Sequence, residues 1–166
     1  MHKLHLLLQR LADAQFEFVV IGGYAGVLHG SSYITDDLDI CAVLSPENVA
    51  SLRAVLADLH PVQRAIRRTF SILDVRPAGV PPANLYLETA AGILDAHSNV
   101  LGIGDYAQLR RSADVISFFG RRCPIISLED LITAKEAVGR EKDLLAVKEL
   151  RAIAAKRALG GTARGD

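Results

Sequence analysis

Two aspartates on one face of an apolar strand constrain this chain more than any other feature. From Phe18 to Ala42 the sequence reads as a strand, a Gly22-Gly23 turn, a short helix, a polar loop and a second strand carrying Asp37 and Asp39. Side chains alternate between the two faces of a strand. Leu38, Ile40 and Ala42 therefore point one way, and Asp37 and Asp39 point the other way together. Asp is disfavoured in strands, and two adjacent carboxylates repel each other and resist burial. A divalent metal pair is the usual compensation, because hard cations take oxygen ligands. Asp36 has the opposite phase and reads as a loop residue. The Gly22-Gly23 pair lies upstream, where a strand meets a helix start. Backbone N–H groups at a helix N-terminus bind phosphate, and glycine lets the phosphate approach closely.

The remaining periodicities surround this stretch with helices and further strands. A leading helix from about His2 to Ala14 carries the stripe Leu4, Leu7, Leu8 and Leu11. Phe16 to Ile21 reads as a buried strand, and Tyr24 to His29 as a short helix ending at Gly30. The Asp-bearing strand extends from Asp37 to Leu44. Ser45-Pro46 is a helix start with Ser45 as N-cap, and Val49, Leu52, Val55, Leu56 and Leu59 share a face before Pro61. Thr69 to Val75 alternates as a strand, and Pro77 to Pro82 is a turn-rich loop. Leu85 to Glu88 and Gly92 to Val100 are further strands, the second with Ile93, Asp95, His97 and Asn99 on one face. Tyr106 to Arg111 reads as a short helix, and Val115 to Phe119 with Arg122 to Ile126 as a hairpin around Gly120. Ser127 opens a helix with Asp130 in the capping-box position, running to Gly139. A last helix from Glu141 to about Leu159 directs Leu144, Leu145, Val147, Leu150 and Ile153 inward. The fold class is α/β, a mixed sheet flanked by helices, with helices at the C-terminus. Residues 1–159 form one domain, and residues 160–166 a disordered tail.

Composition narrows the function classes. The 166 residues are half hydrophobic and carry no net charge, an ordinary globular balance. Zero net charge argues against broad, sequence-blind nucleic-acid binding, which wants a basic domain. Cys41 and Cys123 have no metal-knuckle or redox spacing and read as buried, reduced thiols. Neither the N-terminus nor the apolar run from Phe18 to Leu28 resembles a leader or a membrane span. The expected location is the cytoplasm of a bacterium or archaeon.

An apolar strand, Gly-Gly, a helix and then Asp-Leu-Asp resembles the nucleotidyltransferase superfamily that includes DNA polymerase β. The likeness is closer to its small stand-alone prokaryotic members. It is carried by Gly22, Gly23, His29-Gly30, Thr35, Asp37-Leu38-Asp39-Ile40, Ser127 to Ile132, Ala134-Lys135, and Gly139-Arg140 with Lys142-Asp143. It extends over roughly Phe18 to Leu150.

The resemblance implies a polymerase-β-like fold and a third carboxylate from a later strand. Asp95 is the candidate, with Glu88 next; the competing reading of Asp95 is a solvent-facing strand position. Asp37, Asp39 and Asp95 would hold Mg²⁺ or Mn²⁺, and Gly22 and Gly23 would meet phosphate. Lys135, Arg140 and Lys142 are either a solvated cluster between the last helices or a clamp for a triphosphate, ATP being the expected NTP. The implied reaction moves a nucleoside monophosphate onto a hydroxyl of a protein, a tRNA end or a small molecule, releasing pyrophosphate. Gly23 stands where the family frequently has Ser, so a hydroxyl contact to phosphate is lost while backbone contacts remain; Tyr33 stands where relatives often have Arg, and if that Arg contacts phosphate in them, this contact is missing too. The alternative is a non-catalytic or regulatory protein of this fold, paired with a toxin or antitoxin partner. His29, Ser31, Ser32 and Thr35 either line the approach to the site or serve as helix-end and loop residues.

Overall fold

The computed structural model describes residues 3–64 and 83–162. The strand expected from Thr69 to Val75 and the loop from Pro77 to Pro82 lie outside the described residues. Nine strands and six helices follow one another among those that are described. Helix α1 (Leu4–Asp13) buries Leu4, Leu7, Leu8 and Leu11 along its predicted stripe. Strand β1 (Val19–Ile21) is buried throughout and leads directly into α2 (Gly22–His29). The glycine pair is thus the first turn of the helix itself. Strand β2 (Asp37–Cys41) follows, then α3 (Pro46–Val55), where Ser45 Oγ accepts the Asn48 N–H at 3.2 Å as the N-cap pattern requires.

A mixed seven-stranded sheet forms the centre, in the order β3-β4-β5-β2-β1-β9-β8. Its other members are β3 (Val62–Gln63), β4 (Asn84–Thr89), β5 (Gly92–His97), β8 (Asp114–Phe118) and β9 (Arg121–Ile125). β5 runs parallel to β2, and β4 antiparallel to β5. One long strand was expected from Gly92 to Val100. It breaks at Ser98, whose N–H is bonded to the Ala83 carbonyl. Residues β6 (Asn99–Val100) then pair with β7 (Gly104–Asp105) as a separate ribbon. Helix α4 (Tyr106–Ser112) has a full capping box between Asp105 and Gln108.

The register places Asp39 opposite Asp95, and Asp95 opposite Tyr86. β3 continues the row, because the Arg64 N–H donates to the Tyr86 carbonyl at 2.9 Å. One face of the sheet therefore carries a polar line across four strands. The opposite face of β2 and β5, with Leu38, Ile40, Leu94 and Ala96 fully buried, belongs to the hydrophobic core. The same alternation that hides the aliphatic residues brings the carboxylates out together.

Helix α5 (Leu128–Val138) starts at Ser127, whose Oγ accepts the Asp130 N–H. Only half of the expected capping box forms, since the Asp130 carboxylate takes the Ser112 hydroxyl at 2.5 Å. The helix stops where Gly139 adopts φ +68°, a left-handed conformation suited to glycine. Helix α6 (Glu141–Thr162) runs three residues beyond the expected end at Leu159. Its inward face also differs from expectation. Val147 and Leu150 are buried, but Leu144 and Leu145 are exposed, and Asp143 and Ala146 point inward. The helix is rotated so that an acid at its start reaches the cleft described next. Among the described residues, no helix is long and apolar enough to cross a membrane.

Candidate active site

A cleft of about 710 Å³ opens over the polar face of the sheet. Gly22, Gly23, Asp37, Asp39 and Asp95 line one side, and Lys135, Arg140, Lys142 and Asp143 from α5 and α6 line another. Asp37, Asp39 and Asp95 each offer a carboxylate oxygen, and these oxygens lie within 4.8 Å of one another. Asp37 and Asp39 are half-buried and Asp95 is buried. Glu88 shares the sheet face but pairs with Ile93 one row away and is exposed, so it is not drawn into this cluster.

The glycine turn is shaped by Asp39. Gly22 has φ +64°, and a Cβ built there would stand 2.3 Å from Asp39 Oδ2. Only a residue without a side chain leaves room for that carboxylate beneath the first turn of α2. No side chain caps this helix, whose N-cap is Ile21. Gly23 is crowded by Thr35, with Oγ1 at 2.8 Å from the corresponding Cβ position. Thr35 Oγ1 in turn donates to Asp37 Oδ1 at 2.6 Å, which orients that carboxylate.

Several polar partners of the carboxylates escape sequence reasoning. His97 Nε2 lies 3.3 Å from Asp39 Oδ1, and its Nδ1 lies 3.1 Å from Asn84 Oδ1. Arg64 donates from Nη2 to Asp95 Oδ1 at 2.5 Å. Burial pushes the Asp95 carboxyl up from its ordinary value; Arg64 opposes this, and the charges of Asp39 and Asp37 add to the rise.

The basic cluster is organised by a buried acid. Arg140 Nε donates to Asp143 Oδ2 at 2.6 Å, and Lys135 Nζ lies 3.4 Å from Asp143 Oδ1. Burial alone would push the Asp143 carboxyl up, but Arg140 and Lys135 hold it below its usual value. Lys142 is exposed on the cleft and makes no ion pair among the described residues. The spacing of Arg140 and Asp143, three residues apart across a helix start, was the available signal for this pairing.

The remaining candidates divide between cleft and scaffold. Tyr33 and Thr35 line the cleft. Ser31 Oγ and the Ser32 N–H both donate to the Glu149 carboxylate, at 2.6 and 2.8 Å, and tie the loop to α6. His29 is a buried clamp: its Nε2–H donates to the Ile126 carbonyl at 2.7 Å, and Arg157 on α6 donates to the His29 carbonyl at 2.9 Å. Both cysteines are buried and free, and burial pushes each thiol up to about 12, which suits inert core residues.

This mixed sheet flanked by helices is a nucleotidyltransferase-like fold, shared with solved structures of such proteins. The chain is similar to the lincosamide antibiotic adenylyltransferase LnuA in its lincomycin-bound form, with a TM-score of 0.63 and 18% identity over 91% of this chain and 96% of that one. It is also similar to a Thermotoga maritima protein described as a nucleotidyltransferase (TM-score 0.56, 16% identity, 88% of each chain). A third likeness is to the solution structure of the antibiotic-resistance factor ANT(2'')-Ia (TM-score 0.50, 17% identity, 95% of this chain and 91% of that one). At these identities the likeness is one of fold. No protein-family model matches the sequence, and no curated protein does.

Proposed function

We propose that this protein is a metal-dependent nucleotidyltransferase that moves a nucleoside monophosphate from an NTP to a hydroxyl acceptor and releases pyrophosphate. The observation that carries the reading is the convergence of three carboxylates beneath the glycine-started helix, facing cations across one cleft. The donor set fits Mg²⁺ or Mn²⁺: oxygen ligands only, gathered closely, with Gly22 clearing the space beside Asp39. When bound by Asp37, Asp39 and Asp95, such ions supply Lewis-acid charge to the phosphates and lower the pKa of the acceptor hydroxyl. The N–H groups of Gly22 and Gly23 would meet phosphate oxygens, and Lys135, Arg140 and Lys142 would meet the leaving pyrophosphate. Asp95 would also accept the hydroxyl proton. A protein side chain, a tRNA end and a small antibiotic all present the required hydroxyl, and ATP is the NTP to test first.

The metal reading is tested by thermal melting. Mg²⁺ or Mn²⁺ at a hundred times its Kd should add about 2.7 kcal/mol, which raises Tm by roughly 5–10 °C in a chain of this size. Asp39→Asn should abolish the rise; an equal response in the variant would end the metal assignment. The nucleotide reading is tested at Lys142. Lys142→Ala should weaken Mg²⁺·ATP binding at least about tenfold, because it removes one charge-assisted contact. Tm should barely move, since the residue is exposed. Unchanged binding would make Lys142 a solvated surface residue.

A second reading draws on Gly23 and Tyr33, which replace the hydroxyl and guanidinium often present in relatives. It makes the protein a non-catalytic or regulatory member of the fold, bound to a toxin or antitoxin partner. Stable co-purification with a partner and no metal-dependent pyrophosphate release would favour it.

A further inference from the structure

Arg64 lies outside every motif that marks the site, yet its guanidinium reaches over β4 to the third carboxylate. It arrives from the end of β3, held by its own N–H to the Tyr86 carbonyl, and passes 6.0 Å from the centre of the Tyr86 ring. Its Nη2 meets Asp95 Oδ1 at 2.5 Å. The contact is single: no second guanidinium–carboxylate bond accompanies it among the described residues. Arg64 Nε is sealed from solvent and has no hydrogen-bond partner among the described residues. A paired arginine usually grips a carboxylate through two parallel bonds, and a buried unmet donor carries a penalty. Arg64 therefore holds Asp95 through one short contact and leaves part of its own donor capacity unmet among the described residues.

We propose that Arg64 is the resident counter-ion of the metal site, occupying Asp95 in the ion-free protein and giving way when a divalent cation binds there. The inference rests on the metal-site reading above. Three carboxylates within 4.8 Å need positive charge whether or not an ion is present. Arg64 supplies one such charge from within the chain. A divalent ion engaging Asp95 competes for the same carboxylate, and two cations a few ångströms apart repel. Arg64 thus lowers ion affinity at Asp95 while leaving Asp37 and Asp39 available. It acts through Asp95 and is a positioning residue that sets how readily the third carboxylate accepts its ion.

The test is Mn²⁺ binding without nucleotide, followed by electron paramagnetic resonance, in a double-mutant cycle. Arg64→Met should tighten Mn²⁺ binding about tenfold, the scale of one charge-assisted hydrogen bond. In an Asp95→Asn background the same change should alter Mn²⁺ affinity by less than about threefold, because the competition has been removed. Arg64→Lys keeps the charge on a shorter side chain and should tighten binding by a smaller factor; it serves if Arg64→Met does not fold. Equal tightening in both backgrounds would reduce Arg64 to a general field effect and overturn the proposal. Weaker binding by Arg64→Met would overturn it too, making the arginine a support for ion binding. If the wild type binds Mn²⁺ but no Arg64 variant changes the affinity, the counter-ion role falls and the metal site stands. If the wild type binds no Mn²⁺, both fall.

Discussion

Asp95→Asn is expected to lower nucleotidyl transfer by at least about a thousandfold, the scale of losing transition-state charge stabilisation. Mg²⁺·NTP binding should stay within about threefold of wild type, because the triphosphate brings its own ion and Asp37 and Asp39 remain. The substitution keeps the shape of the side chain and removes the charge that faces Asp39 across the β2–β5 pair. Asp37→Asn and Asp39→Asn should instead damage binding and transfer together. The assay uses labelled NTP with cell extract as the source of acceptor, alongside self-labelling of the protein. Binding and transfer are measured on the same preparations, so a folding defect would appear in both. Transfer by Asp95→Asn at the wild-type rate would remove Asp95 from the role of third carboxylate.

Gly22→Ala is the second large effect. The left-handed φ costs a residue with a side chain about 1–3 kcal/mol. In addition, the new methyl would stand 2.3 Å from Asp39 Oδ2, a separation no non-bonded pair tolerates. Either the helix start or the carboxylate has to move. We expect Tm to fall by roughly 5–10 °C. We also expect the rise in Tm with Mg²⁺ to disappear, because Asp39 is displaced. A variant that melts like wild type and still responds to Mg²⁺ would show that the turn does not constrain the carboxylate.

Local patterns were legible in the sequence, and contacts made across the sheet were not. The Gly22-Gly23 turn, the shared face of Asp37 and Asp39, the α1 stripe and the Ser45 and Ser127 caps each depend on residues a few positions apart. Asp95 and Glu88 remained alternatives because either could face the Asp-x-Asp strand. The choice between them is a matter of register, which pairs Asp95 with Asp39 and leaves Glu88 beside Val62 at the sheet edge. Arg64 gave no signal, since it lies 31 residues from Asp95 and in no motif. In the sequence Asp143 stands only as part of the Gly139 to Asp143 stretch and has no role of its own. Its burial follows from the rotation of α6, which the run of apolar residues from Leu144 to Val147 did not reveal. Two of those residues, Leu144 and Leu145, lie outside.

The parallel pairing of β2 with β5 has a consequence for the order in which the chain comes together. β1, the glycine turn, α2 and β2 are near one another in sequence and close short loops, whereas His97 and Asp39 meet from 58 positions apart. Bringing such distant residues together carries a larger loop-closure entropy, which slows non-local pairing. This pairing also drives like charges together, so its progress depends on the aliphatic underside of the two strands. A nascent chain that has emerged only as far as α3 displays Asp37 and Asp39 but has no third carboxylate. The acidic triad is therefore completed by the closing of the sheet, and ion capture there would report a finished β2–β5 ladder where simple collapse would leave the site open.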